Sequence, residues 1–243
     1  TARLATVGEM ASLLSHELNQ PLAAISSYAT GSLNLLQSGD ASAQDMRVPL
    51  QRMAEQAERA GRVIKSVHDF VRRRHSEREA VPPQALLDAI LPLVNLQARK
   101  LQVRVDCRVE SDLPAVLCDR TMVEQVLLNL ARNAMQAMAQ PGAAQRVLLI
   151  EVRPGADAGA HPGPAWLEFS VADVGPGIAP EVAEKLFTPF FTTKDEGMGL
   201  GLSLCRTVIE QHGGTLGFEA RQPRGTIFRF TLPVSAGVPP VHS

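Results

Sequence analysis

Ser15-His16-Glu17-Leu18-Asn19-Gln20-Pro21-Leu22 sets an imidazole and a carboxylate side by side inside a helical pattern. Around it Leu4, Val7, Ala11, Leu14, Leu18, Leu22 and Ile25 recur at spacings of three and four, which predicts a long helix from about residue 3 to 36 with one buried face. His16 lies off that seam and projects toward solvent. Its ordinary pKa near ~6.5 leaves much of it neutral and nucleophilic at cellular pH, and Glu17 beside it can take the ring proton as charge builds. Taken alone, such a pair is far more often an exposed histidine with an acidic neighbour. Pro21 lacks a backbone donor and predicts a bend just after the histidine.

Beyond the small, polar stretch Ser38 to Gln44, read as a loop, a second seam appears. Leu50, Met53, Ala57, Ala60, Ile64, Val67 and Val71 alternate spacings of three and four in the a/d manner of a coiled coil. Two helices joined by a short loop form a hairpin, which alone buries too little apolar surface to offset the ordering entropy of some ~70 residues. Pairing with a second copy into a four-helix bundle is the expected remedy, hence a homodimer; packing onto the rest of the same chain is the alternative. The charge run Arg72 to Glu79 and the Val81-Pro82-Pro83 break mark a domain boundary. The expected organisation is an all-α domain over 1–80, a second domain over 81–235 and a flexible tail over 236–243.

The composition is that of a soluble globular protein, 45% apolar and 20% charged over 243 residues, enough for two modest domains. A net charge of −1 gives no electrostatic case for nucleic acid. Cys107, Cys118 and Cys205 lack metal-ligand spacing and sit in apolar runs, so they read as buried thiols of a reducing compartment. No apolar run of about 18 residues and no signal-peptide pattern occurs. The chain opens in mid-helix at Thr1-Ala2-Arg3-Leu4. It is therefore expected to be a cytoplasmic fragment of a longer parent, whether that parent is soluble or membrane-anchored.

From Gln84 onward helices and strands alternate. Helices are predicted over Ala85 to Ala98, Asp119 to Met138, from about Pro180, and over Gly201 to His212. Strands are predicted over Leu101 to Val109, Ala115 to Cys118, Arg146 to Val152, Trp166 to Val171, Thr215 to Ala220 and Thr226 to Leu232. Antiparallel strands with helices on one side make an α/β sandwich.

Three groups in this half carry chemistry. Asn129 and Asn133 are four apart and share a helix face; their amide oxygens suit Mg²⁺, which borrows phosphate oxygens from a nucleotide, although such pairs usually make only surface hydrogen bonds. Asp173-Val174-Gly175-Pro176-Gly177-Ile178 ends a strand. Its carboxylate can accept from an exocyclic amine such as that of adenine and its glycines admit a flat ring, while a plain D-x-G turn is the competing reading. Gly197-Met198-Gly199-Leu200-Gly201-Leu202 opens a helix, whose free N–H groups form a ready phosphate site, yet it fits neither a P-loop nor a dinucleotide fingerprint. Between them Phe187-Thr188-Pro189-Phe190-Phe191-Thr192-Thr193-Lys194 holds three of the eight phenylalanines and a lysine able to reach phosphate. It reads as a loop that closes over bound nucleotide.

In order and spacing, S-H-E-L-N-Q-P-L, N-L-A-R-N-A, D-V-G-P-G-I, F-T-P-F-F-T-T-K, G-M-G-L-G-L and the closing G-T-I-F-R-F resemble the H, N, G1, F, G2 and Gly-Thr boxes of bacterial two-component sensor histidine kinases. The likeness spans nearly the whole chain, and it is greatest to the branch typified by oxygen-sensing and dicarboxylate-sensing kinases, whose sensor domains lie upstream. Each box is weak alone; the ordered set is specific. The resemblance implies a dimeric four-helix bundle carrying His16, followed by an α/β sandwich of Bergerat (GHKL) type that binds ATP with Mg²⁺. It implies His16 as phosphoacceptor, Glu17 as its proton acceptor, Asn133 as Mg²⁺ ligand with Asn129 assisting, and Asp173 on the adenine amine. Gly197, Gly199 and Gly201 would shape the lid and phosphate cradle. Arg132, Gly175, Gly177, Ile178, Thr193, Lys194, Leu200, Leu202 and Thr226 complete the implied nucleotide set. The second partner implied is the receiver domain of a response regulator, whose aspartate takes the phosphoryl group.

Two positions depart from the family pattern. Gln136 stands where many members carry a lysine for the phosphates, which shifts that duty to Lys194 or Arg132. Gln20 stands four after His16, where others carry threonine or asparagine linked to dephosphorylating the regulator; its amide could still orient a hydrolytic water. Gyrase-type and chaperone-type ATPases share the nucleotide fold but carry a glutamate base four positions before the metal asparagine. Asn129 stands there in this chain and cannot act as a base, so water attack should be poor. Serine-directed mitochondrial kinases of this fold offer no reason for a His-Glu pair on a dimer helix, and a non-catalytic scaffold offers none for a full set of boxes.

Overall fold

The computed structural model describes residues 2–38, 42–71, 78–139, 146–155, 165–189, 191–193 and 199–235, with side chains in the first two helices described at 18–37, 44–61 and 64. The expected tail 236–243 falls outside the described residues. Two compact units result, 1–75 and 76–243.

The first unit is a helical hairpin of α1 (Ala2–Ser38) and α2 (Ala43–Val71). Pro21 lies inside α1, which runs on as one helix instead of being interrupted there. The loop is shorter than the composition suggested because Ser42 and Asp45 cap α2 reciprocally. The Ser42 Oγ accepts from the Asp45 N–H at 3.2 Å, and the Asp45 carboxylate accepts from the Ser42 N–H at 2.9 Å. The Ser42 hydroxyl also donates to Asp45 Oδ2 at 2.6 Å, and that bond together with the one from the Ser42 N–H holds the Asp45 carboxyl below its ordinary value. Much of the apolar seam is uncovered within the single chain: Leu22, Leu33 and Leu36 fall on one stripe of α1, each more than half exposed, and Leu50 and Ile64 are exposed on α2.

The second unit opens with β1 (Glu79–Val81), which pairs antiparallel with β3 (Val116–Cys118) in the register Val81↔Val116. The boundary between units therefore falls after His75 and not after residue 80, since the segment read as linker is already a strand of the second unit. α3 (Pro83–Leu101) is longer than predicted. Pro83 takes the first helical turn, where a missing N–H costs nothing, and the helix ends at Gln102 in the left-handed region. Leu101 is thus helical, and β2 starts at Arg104 (Arg104–Val109).

α4 (Arg120–Met138) is capped by Asp119, whose Oδ1 accepts from the Met122 N–H at 3.1 Å. β4 (Val147–Pro154), β5 (Trp166–Ala172), the single turn α5 (Pro180–Ala183), α6 (Gly201–Gln211), β6 (Leu216–Ala220) and β7 (Thr226–Pro233) complete the unit. The sheet order is β2-β4-β5-β7-β6. β2 and β4 run parallel, so the sheet is mixed where antiparallel strands were expected. β3 and α4 supply the crossover that parallel neighbours require.

One face of the sheet carries Ile150, Phe169, Val171, Phe230 and Leu232 in the core with Leu86 and Ile90 of α3, Leu127 and Leu130 of α4 and Ile209 of α6. Phe169 and Phe230 stack with ring centroids 5.0 Å apart. The opposite face is a charge ladder in which Glu168 takes Arg153 at 2.7 Å and Arg229 at 2.8 Å, and Arg229 also takes Glu219. Such pairs add little stability and mark the solvent side. Cys118 and Cys205 are buried as expected, whereas Cys107 is exposed, because β2 is a sheet edge on which no residue is fully buried. Among the described residues no helix is long and apolar enough to cross a membrane.

Candidate active site

β5 delivers Asp173 to the end of the sheet, where the residue is only 2% exposed. Its N–H donates to the Thr226 carbonyl at 2.9 Å, while its Oδ1 accepts from the Gly175 N–H at 2.8 Å and the Thr226 N–H at 3.3 Å. Arg221 Nη1 donates to the Asp173 carbonyl at 3.2 Å. Burial raises the carboxyl pKa above its ordinary value, against the opposing pull of the two amides and Arg221. Both amides bond Oδ1, and nothing among the described residues bonds Oδ2. A buried acceptor left over at the mouth of a sheet suits an exocyclic amine.

Gly225 makes this cradle possible. At φ +123 it adopts a backbone conformation that L side chains avoid, and a Cβ there would run into the Asp173 carbonyl oxygen. Gly225→Ala is expected to destabilise the unit by on the order of 3 kcal/mol, through strain and backbone overlap together, read as a drop in denaturant midpoint at unchanged slope.

The turn after Asp173 is seated on α4. A Cβ added at Gly175 would lie 2.9 Å from Asp173 Oδ1 and 3.2 Å from the Ala137 Cβ. Ala137 follows Asn133 by one helical turn and Asn129 by two, so both amides lie along the α4 face that meets this turn. Asn133 is half-buried, and Asn129 Oδ1 accepts from Arg132 Nη2 at 3.1 Å. Arg132 is thus engaged in holding Asn129. Gly177 approaches the Gly225 carbonyl, its added Cβ lying 3.6 Å away, and Ile178 packs on the core.

α6 completes the arrangement. Gly199, with φ +65, leads into the buried Leu200 and the first turn of α6 at Gly201, and Leu202 packs on the core. A Cβ added at Gly201 meets nothing among the described residues within 4 Å. Cys205 Sγ lies 4.0 Å from the Val126 carbonyl and sets α6 against α4. The root of the Phe-rich loop is anchored. Arg206 of α6 stands 3.7 Å over the Phe187 ring, and Phe187, Phe218 and Phe228 follow one another at 6.2 and 6.0 Å. Thr193 is exposed, and Lys194 and Gly197 lie outside the described residues.

Asp173, Gly175, Gly177, Thr226 and the α4 face of Asn129 and Asn133 are therefore gathered at one place. Arg221, Gly225 and Arg206 act there without having been singled out. Gly225 sits inside the quoted Gly-Thr box and could have been found; no local pattern marks the two arginines. In the helical unit, His16 and Glu17 lie on α1 with side chains outside the described residues, and Gln20, one turn on, is exposed.

Residues 6–76 match the family described as His Kinase A (phospho-acceptor) domain, and residues 118–236 that described as Histidine kinase-, DNA gyrase B-, and HSP90-like ATPase. The chain belongs to the sensor histidine kinases, which are ATP-dependent protein-histidine kinases. Among its relatives are the C4-dicarboxylate transport sensor protein DctS of Rhodobacter capsulatus, 44% identical over 234 residues, and the sensor protein FixL of Bradyrhizobium diazoefficiens, 43% identical over 235. These matches bear out the branch that the boxes indicated. Each covers 96% of this chain but only 34% of DctS and 45% of FixL, so the chain spans less than half the length of either. Histidine kinase ThkA, solved in complex with response regulator protein TrrA, superimposes with a TM-score of 0.71 at 27% identity, over 96% of this chain and 64% of that one.

Proposed function

We propose that this chain is the transmitter core of a sensor histidine kinase, moving the γ-phosphoryl group of ATP to His16 and from there to an aspartate of a response regulator. The observation that carries the nucleotide half of this reading is Asp173, a buried carboxylate with one oxygen bonded by two amides and the other, which none of the described residues bonds, suited to an amine. In the reaction the neutral His16 nitrogen forms a bond to the γ-phosphorus, the bond to the β-γ bridging oxygen breaks, ADP leaves, and Glu17 takes the imidazole proton. The transition state is loose, so positioning and charge neutralisation supply most of the acceleration. Mg²⁺ bound with the nucleotide would neutralise the β- and γ-phosphate oxygens. Asn133 would hold it, with Asn129 fixed beside it by Arg132. Among the described residues no group of three or more His, Cys, Asp or Glu could hold a metal. Gly199 to Leu202 would cradle the phosphates, with Lys194 and Thr193 on the closing loop.

ThkA is seen with a response regulator, and we extend a receiver domain to this chain as its second partner. Gln20, exposed on α1 one turn beyond His16, would orient a water against the phosphorylated regulator. Residues 1–75 act as the phosphotransfer domain and 76–235 as the ATP-binding domain, on the cytoplasmic side where ATP is supplied. The exposed stripe of Leu22, Leu33 and Leu36 supports a homodimer through a four-helix bundle. Leu33→Asp with Leu36→Asp is expected to turn a two-chain species at micromolar concentration into a one-chain species by sedimentation, with ATP binding retained.

The kinase reading is tested by incubating the chain with Mg²⁺ and ATP labelled at the γ-phosphate. Acid-labile, base-stable label on the protein supports it. Free phosphate without protein label would favour an ATPase, and nucleotide binding with neither product a scaffold.

A further inference from the structure

α4 and α6 carry two parts of the nucleotide site, and their far ends meet at His212, which is 4% exposed at the end of α6. The helix closes there in a Schellman turn: the Gly213 N–H donates to the Glu210 carbonyl at 2.9 Å and the Gly214 N–H to the Ile209 carbonyl at 3.0 Å. Gly213 has φ +82, and a Cβ on Gly214 would run into the Thr231 carbonyl oxygen, so the turn presents His212 in one orientation.

Both ring nitrogens are used. Nε2 accepts the Asp119 N–H at 2.9 Å, at the cap of α4, and Nδ1 lies 2.7 Å from the Val208 carbonyl, to which it must donate. The two partners fix one neutral tautomer. Two hydrogen bonds link α6 to α4 besides their core packing, Cys205 to the Val126 carbonyl and the Asp119 N–H to His212, and both fit a single antiparallel register. Carried along the helices, that register sets Gly201 level with Leu130, beside Asn129 and near Asn133. A slip of one residue between the helices would move the phosphate cradle about 1.5 Å from the amides.

We propose that His212 is a positioning residue for the nucleotide, fixing the register of α6 against α4 through the Asp119 amide and the Val208 carbonyl, so that Gly201 and the two asparagines stay in step. This rests on the nucleotide reading above. It gives His212 a task besides packing, because the tie depends on a neutral ring. A proton on Nε2 would set N–H against N–H and break the bond to Asp119. Burial lowers the His212 pKa, the Val208 carbonyl raises it, Arg78 lowers it and Asp119 raises it. Those two charged groups face the ring, Arg78 donating to the Gln211 carbonyl at the same helix end and Asp119 capping α4. Cys118 beside Asp119 is pushed up to about 12 by burial and stays a neutral thiol. With a folded pKa below the unfolded one, the tie is intact above the unfolded value and is lost as pH falls through the folded one.

The test uses the whole chain with the non-hydrolysable analogue AMPPNP and Mg²⁺, which leaves His16 chemistry out of the readout. Affinity is measured by calorimetry at about pH 8 and about pH 5.5 for wild type and His212→Gln. Gln can keep both bonds and does not titrate. Expected is a loss on acidification larger in wild type than in the variant by up to about fivefold, the most that one unit of pKa difference between free and bound chain yields at about pH 5.5 for a histidine lowered from its ordinary value. Equal losses in both would place the acid effect outside His212 and overturn the proposal. By linkage, the His212 imidazole followed by NMR should titrate at lower pH with AMPPNP bound. An unmoved titration overturns the proposal without need of a folded variant. Wild type that binds no AMPPNP at about pH 8 would remove the nucleotide reading, and this inference with it.

Discussion

His16→Gln is expected to reduce acid-labile phosphate on the chain by more than about a thousandfold while leaving the affinity for ATP within a factor of about two. The two effects separate because acceptor and nucleotide cradle belong to different units, 1–75 and 76–243. Gln preserves length and some polarity on a helix but has no nitrogen lone pair able to attack phosphorus, since its amide nitrogen is conjugated with its carbonyl. The remaining groups would still bind and orient the nucleotide, and with Asn129 where ATPases of this fold keep a glutamate, water should not take the place of the imidazole. The measurement is label retained on the protein after base and lost after acid, with ATP affinity in parallel. Undiminished label would move the acceptor elsewhere, and label lost together with ATP binding would show that the substitution had disturbed more than the nucleophile.

The boxes were legible because each is a short contiguous run of telling residue types, although their contacts, such as Asp173 with Thr226, reach far along the chain. The helix seams announced α1 and α2 by period, and the D-x-G turn announced Asp173 by its place at a strand end. What escaped reading depended on partners distant in sequence. Glu79–Val81 is too short to show an alternation, and only pairing with Val116–Cys118 makes it a strand. The parallel pairing of β2 with β4 is a property of the crossover and leaves no mark in either strand. Cys107 stands between Asp106 and Arg108, a polar setting that its reading as a buried thiol passed over, and its position on an edge strand exposes it. Nothing next to His212 in sequence points to the Asp119 amide that completes it, since the two are 93 residues apart.

Asp173→Asn should weaken ATP binding by about a hundredfold, roughly 2.7 kcal/mol, and yet leave the nucleotide-free protein no less stable. Asn is nearly the same shape, and its Oδ1 can go on accepting from the Gly175 and Thr226 amides, so the cradle survives. The second oxygen becomes an NH₂ group, and two donors then face each other where the adenine amine would approach. For stability the sign runs the other way. Burial raises the Asp173 pKa above its unfolded value, so the ionised carboxylate costs folding energy at neutral pH, and that cost is relieved as pH falls through the folded pKa toward the unfolded one. Asn carries no such cost. The variant should therefore match or exceed wild type in unfolding midpoint at neutral pH, and the two should converge on acidification as Asp173 protonates. Calorimetric titration with ATP and thermal unfolding across that pH range give both halves. A variant that binds ATP like wild type would take Asp173 out of adenine recognition, and one that unfolds early at neutral pH would show that the buried charge, despite its desolvation, holds the turn together.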